Sequence, residues 1–188
     1  AYDIVINGLR RLEYRGYDSA GIVLEDKNNN FEVKKTKGKV SDLVDISENL
    51  KGTSHIGMGH TRWATHGVPS DRNSHPHVSN DGKIALVHNG IIENYDTIKT
   101  MLIGKGFTFL SETDTEVLVN LIQYILDTQN VDFPQAVRYA LNEVYGAYAI
   151  TVMHKDYPGV LVVGRLGSPL AIGLGDKEYF IASDASPF

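Results

Sequence analysis

The chain has no cysteine among its 188 residues. That excludes disulfides, thiolate metal sites and any thiol nucleophile from within it, and it fits a cytoplasmic location, which is the expectation. No stretch approaches the roughly 20 apolar residues that a membrane span needs, and no charged-then-apolar signal segment opens the chain. An excess of positive charge is also missing. Lys and Arg number 18 against 23 Asp and Glu, for a net charge of −5. General attraction to phosphate backbones is absent, so nucleic acid is not an expected partner. There is no internal repeat, low-complexity tract or linker. What remains, 42% hydrophobic and 22% charged, fits one globular domain that buries its own core.

The hydrophobic spacing of Ile4, Val5, Leu9 and Leu12 predicts a helix over residues 2–14, ended near Gly16. "AGIVLE" and "FEVKKTK" read as strands joined by the turn "DKNNN". Residues 41–50 read as a short helix capped by Ser41. "HIGMGHTR" reads as a strand, residues 66–80 as loop, and "IALVHNG" as a buried strand after the turn "NDGK". A helix is expected over 95–105 and a strand at "FTFLSE". Val117, Leu118, Leu121, Ile122 and Ile125 mark an amphipathic helix over 115–128, and another helix follows over 133–144. The last third reads as strands: "GAYAITVMH", "VLVVGR", "PLAIGLG" and "EYFIAS". Their turns are too short for crossover helices, so they are expected to pair antiparallel. "GAYAITVM" is apolar on both faces and is expected to be covered on both. Strands in blocks predict α+β layers.

The chemistry-bearing residues concentrate in "GHTRWATHG", residues 59–67. Arg62 stands at a strand end, where binding groups gather, and its guanidinium fork matches a carboxylate. A surface salt bridge is the plainer alternative. Asn89 and Gly90, in "HNG", can aim two N–H donors at one oxygen, as an oxyanion hole requires, although Asn-Gly is also a common turn. In "ETDTE", Thr113 and Glu116 fit a capping box, which leaves Asp114 free to hold an ammonium. Six of the seven histidines fall between residues 55 and 88. A metal site of His66, His75 and His77 is one reading, and loop hydrogen bonding is the other. One fixed cation and one fixed anion suit the two ends of a free amino acid, and the Asn-Gly pair suits a reacting carbonyl.

In register along nearly the whole chain, "RRLEYRGYDSAG", "GHTRWATHG", "HPHVS", "VHNGIIENY", "SETDTE" and "GSPLAIGLG" resemble the glutaminase, or class II glutamine amidotransferase, domain of the glutamine–fructose-6-phosphate aminotransferases. The related phosphoribosyl-pyrophosphate amidotransferases are similar in the Arg-Gly and Asn-Gly motifs but do not usually read "TRWATHG". The resemblance implies a four-layer αββα sandwich of two antiparallel sheets, of the N-terminal-nucleophile hydrolase type. It implies that Arg62 binds the α-carboxylate of L-glutamine, with Thr65 and His66 nearby, and that Asp114 holds the α-ammonium. Asn89 and Gly90 form the oxyanion hole, Trp63 lies on the ammonia path, and Arg15 and Tyr17 lie near the nucleophile. No cofactor or metal is implied.

The resemblance further implies that ammonia goes to fructose 6-phosphate on a sugar-phosphate isomerase domain of the same polypeptide, and that the protein is a homodimer through that domain. This sequence departs from the pattern in one place. The family's nucleophile is an N-terminal cysteine on a first strand, and neither is present. The expectation is therefore a domain incomplete at both ends, with the nucleophile upstream of Ala1. Two other functions compete: a domain that binds glutamine without cleaving it, and a histidine-based metallohydrolase.

Overall fold

A computed structural model describes residues 1–188. The first helix, α1 (Tyr2–Leu12), precedes the hairpin β1 (Ser19–Glu25) and β2 (Phe31–Lys37). Helix α2 (Val40–Ser47) and strand β3 (Ile56–Arg62) complete the first half. The second half opens with β4 (His77–Val78), β5 (Ile84–Ile92) and the helices α3 (Tyr95–Gly104), α4 (Asp114–Thr128) and α5 (Phe133–Glu143). It ends with β6 (Gly146–His154), β7 (Val162–Leu166), β8 (Ala171–Leu174) and β9 (Tyr179–Ala182).

The strands form a three-stranded sheet in the order β2-β1-β3, a four-stranded sheet in the order β4-β5-β6-β7, and the separate pair β8-β9. Every pairing between named strands is antiparallel. The two-residue period of a strand sends alternate side chains to opposite faces, and here each face has its own apolar partner. On β1, Ala20, Ile22 and Leu24 pack with Tyr2, Ile6, Leu9, Val40 and Leu43 of α1 and α2. Val23, between them, turns the other way and meets Ala85, Val87 and Met153 of the second sheet. On β5 and β6, Ile84, Leu86, Ile150 and Val152 pack outward against α3, α4 and α5. Helices, sheet, sheet and helices therefore make four layers, as the resemblance implied.

Several expectations change in detail. The buried stripe of α1 is Tyr2, Ile6, Leu9 and Leu12, while Ile4 is exposed. Ser41 does not cap α2; the Asp42 carboxylate accepts from the Lys39 N–H at 2.8 Å instead. Residues 66–80 include the two-residue strand β4. "FTFLSE" is not a strand, although Phe107 and Phe109 do pack on the core. Side chains replace the ladder there: Asn80 brackets Thr108 through both its amide atoms, and the Glu116 carboxylate accepts from the N–H groups of Leu110 and Ser111. In the last third, β8 leaves the main sheet and pairs only with β9. Strand β6 is buried from Tyr148 to His154, consistent with layers on both of its faces.

Candidate functional site

The C-terminal ends of β3 and β5 and the N-terminus of α4 meet around a cavity of about 330 Å³, at the small end for ligand sites. Of its 17 lining residues one is hydrophobic, so the space suits a polar metabolite rather than a lipid or an aromatic ring. Arg62 points into it from the end of β3 and is 3% exposed. One guanidinium nitrogen donates to the carbonyls of His66 and Gly67, which closes the turn after β3. The other, Nη1, is buried without a partner. A buried guanidinium N–H left unpaired is costly, and an incoming carboxylate removes that cost. Burial lowers the Arg62 pKa, opposed by the nearby carboxylates of Asp18, Asp114 and Glu112. Asp18 also accepts from the Ala64 N–H at 2.6 Å, which holds the Trp63–Thr65 stretch in place.

Asp114 is the first residue of α4, where a carboxylate is favoured by the helix dipole. It too is 3% exposed, and its Oδ2 accepts from the Ile92 N–H at 2.8 Å. Thr113 is the N-cap and accepts from Glu116 N, but Glu116 reaches past it to the backbone of residues 110 and 111. The expected capping box is therefore only half formed.

Asn89 and Gly90 lie near the end of β5. Alternation places Asn89 on the face that looks across at β3, where its Oδ1 lies 2.8 Å from His60 Nε2. Gly90 has a φ of +124°, and a Cβ there would stand 2.1 Å from the Ala147 carbonyl oxygen. Glycine is required both by the backbone angle and by the approach of β6. Around Asn89 four imidazoles are buried: His60, His75, His77 and His88. His60 stacks on His75 with ring centres 4.2 Å apart, and His75 meets His77 edge-on at 5.0 Å. Thr115 Oγ1 lies 2.9 Å from His88 Nδ1, and Thr113 Oγ1 lies 3.0 Å from His77 Nε2. Burial pushes all four pKa values down, that of His60 to about 4, so these rings are neutral at pH 7.

Of the residues singled out in the sequence, Arg15, Arg62, Trp63, Thr65, Asn89, Gly90 and Asp114 all line the cavity. Arg15 is held at its mouth by Asp184 at 3.4 Å. Trp63 is 69% exposed and lies against Gly16. His66 and Tyr17 are not among the lining residues. The His66 ring packs 4.7 Å from Tyr95, and only its carbonyl joins the site. The Tyr17 hydroxyl donates to Glu13 at 2.8 Å and accepts from Val40 N–H at 2.9 Å. No group of three or more His, Asp or Glu side chains is arranged to hold a metal ion, and His66 lies apart from His75 and His77. Sequence reasoning missed His60, His88, Thr115, Ser168, Pro169 and Ser183 as lining residues. The clustering of histidines was the available signal, and it marked a wall rather than a ligand set.

Residues 20–188 match the glutamine amidotransferase domain family. The chain is 54% identical, over its full length, to a glutamine–fructose-6-phosphate aminotransferase (isomerizing) of Bacteroides thetaiotaomicron, and 53% identical to that of Chlorobaculum tepidum. It spans 30% and 31% of those two proteins. Among solved structures, it superposes with a TM-score of 0.80 and 29% identity on a glutamine phosphoribosylpyrophosphate amidotransferase from B. subtilis, over 96% of this chain and 39% of that one. A second match, described as the allosteric regulatory enzyme of purine biosynthesis, gives 0.83 at 30% identity, over 97% of this chain and 39% of that one. The four layers and the polar pocket at their edge define an amidotransferase of the N-terminal-nucleophile hydrolase type. The chain belongs to the glutamine amidotransferase domain family.

Proposed function

We propose that this domain hydrolyses the side-chain amide of free L-glutamine, and that the ammonia aminates fructose 6-phosphate elsewhere in a longer polypeptide to give glucosamine 6-phosphate. The observation that carries the reading is the cavity itself. Around it stand one fixed cation, Arg62, one fixed anion, Asp114, and the Asn89-Gly90 pair, with room for an amino acid between them. In this reading Arg62 Nη1 takes the α-carboxylate and Asp114 takes the α-ammonium. The amide carbonyl then lies against the Asn89 side-chain NH2 and the Gly90 N–H, which stabilise the oxyanion formed on attack. Thr65 contacts the bound substrate, and Trp63 and Arg15 flank the exit.

Nothing lining the cavity is an activated nucleophile. Thr113 and Thr115 do have imidazoles beside them, His77 Nε2 at 3.0 Å and His88 Nδ1 at 2.9 Å, but burial lowers both ring pKa values and leaves them weak bases for activating a hydroxyl. The attacking group in this reading is a cysteine at a free N-terminus outside residues 1–188. A groove of about 1540 Å³ is consistent with its place. Residues Ile56–Thr61 of β3 and Tyr179–Ala182 of β9 line it continuously, and β3 is an unpaired sheet edge. The groove shares His60 and Asn89 with the small cavity. An extended segment laid along β3 delivers its end to Asn89.

The remainder of this reading follows from the length of the relatives. This chain spans 30% of the Bacteroides protein, and in this reading a sugar-phosphate isomerase domain of the same polypeptide lies in the length it does not span. Dimerisation belongs to that domain, and a chain without cysteine or an apolar helix long enough to cross a membrane suits the cytoplasm. A glutamine-binding domain without turnover is the second reading, since the cavity lining by itself binds without attacking. Product analysis separates the two. The full-length protein given glutamine and fructose 6-phosphate should form glutamate and glucosamine 6-phosphate in equal amounts. Glutamine binding with neither product would establish the second reading.

A further inference from the structure

We propose that His60 is a positioning residue for this reaction: by donating from Nε2 to Asn89 Oδ1, it turns the Asn89 amide so that its NH2 faces the cavity. The inference rests on the glutaminase reading and deepens it.

A side-chain amide can lie in two orientations that exchange oxygen and nitrogen. Only one of them offers a developing oxyanion a donor. The other presents a carbonyl oxygen and repels it. The Asn89 side chain makes a single hydrogen bond, at 2.8 Å to His60, so the proton on His60 selects the orientation. If Nε2 carries the proton, it donates to Oδ1 and the NH2 is left for substrate. If Nδ1 carries it, Nε2 must accept from a flipped amide, and a buried N–H is orphaned, because Nδ1 forms no hydrogen bond, even though the His88 carbonyl lies beside the ring. Orphaned buried N–H groups are rarer than unsatisfied acceptors, so the first arrangement wins. Burial holds the ring neutral, with a pKa near 4, and one proton then has one place to be.

The ring cannot swing to escape this choice. It is stacked against His75 at 4.2 Å and 15°. His75 is itself fixed: its Nδ1 accepts from the His88 N–H at 3.3 Å, and its Nε2 lies 3.4 Å from Thr115 Oγ1. His88 completes the chain through Thr115. The stack of neutral histidines thus acts as a rigid wall behind the oxyanion hole.

The test uses the full-length enzyme and reads glutamate release. His60→Leu removes the donor and keeps an apolar side chain of moderate size in the wall. It should lower kcat by roughly 100-fold, the cost typical of a misplaced catalytic group, with glutamine KM changed less than about threefold, since Arg62 and Asp114 still hold the substrate. His60→Gln places an amide N–H near the position of the imidazole Nε2 and should restore most of kcat. His60→Asn, too short to reach, should not. In an Asn89→Ala background, His60→Leu should have almost no further effect, because its target is gone. The Gln and Asn pair decides the matter if the Leu variant does not fold. Unchanged kcat in His60→Leu, equal damage from folded Gln and Asn variants, or a full additional loss in the Asn89→Ala background would each overturn the proposal alone. No turnover by the wild-type protein would sink the glutaminase reading, and this proposal with it.

Discussion

The Asp114 carboxylate and the Ile92 N–H share a hydrogen bond of 2.8 Å, which ties the first turn of α4 to the far end of β5. The candidate ammonium ligand is thereby also a structural acceptor. Asp114→Asn separates the two duties, because a neutral amide oxygen can still accept from Ile92 but cannot neutralise an ammonium. Glutamine binding should weaken roughly 10- to 100-fold, as expected for the loss of a charge-assisted contact, while the melting temperature moves by only a few degrees. A large drop in melting temperature with unchanged glutamine affinity would make Asp114 purely structural.

Arg62→Lys should raise glutamine KM by a factor of 10 or more despite keeping the charge. The native guanidinium uses one nitrogen on the His66 and Gly67 carbonyls and leaves Nη1 free. An ammonium has one nitrogen and cannot hold the turn and reach the carboxylate from two fixed positions at once. Steady-state kinetics of glutamate release decide it, and an unchanged KM would remove Arg62 from the binding site.

Gly90→Ala should be far more damaging to folding than Gly82→Ala. Both positions have positive φ, which alone costs of order 1 kcal/mol for alanine. At Gly82 nothing lies within 4 Å of the added Cβ, whereas at Gly90 it meets the Ala147 carbonyl at 2.1 Å. Thermal unfolding of the two variants measures the difference. Equal losses would mean that β6 can move away from β5.

The buried histidines predict a pH dependence of stability. Their folded-state pKa values lie below the ordinary value near 6.5, because burial disfavours the charged ring. Below pH 6.5 the unfolded chain therefore binds protons that the folded chain refuses. The stabilisation is complete above pH 6.5 and is lost as pH falls toward 4, by up to about 1.4 kcal/mol per pH unit for each ring. Urea midpoints should fall between pH 7.5 and pH 5. A flat profile would mean that the rings are accessible to protons in the folded state.

The layers were legible in the sequence because strand and helix periods repeat over long stretches, as in "IALVHNG" and the α4 stripe. "FTFLSE" misled because its aromatic alternation is real but its backbone is satisfied by Asn80 and Glu116 side chains, partners distant in sequence. The candidate binding charges were legible because Arg62 and Asp114 sit at element ends, where pattern and chemistry disagree. His60 was not. It belongs to a strand by pattern, and its partner Asn89 is 29 residues away on the opposite sheet. The His66 ring, which the resemblance brought near the site, turns across to Tyr95 of α3, and Tyr17 turns to Glu13 and Val40.

On the proposed reading, this domain binds and orients glutamine for a nucleophile that residues 1–188 do not contain. The direct measurement compares glutamate release by residues 1–188 with that by the full-length protein, each with and without a diazo-ketone analogue of glutamine. The full-length protein should turn over glutamine, lose activity on treatment, and carry the label on a cysteine outside these residues. Residues 1–188 should release no glutamate and take up no label. Comparable turnover by residues 1–188 alone would contradict the account, because the nucleophile would then lie within the chain.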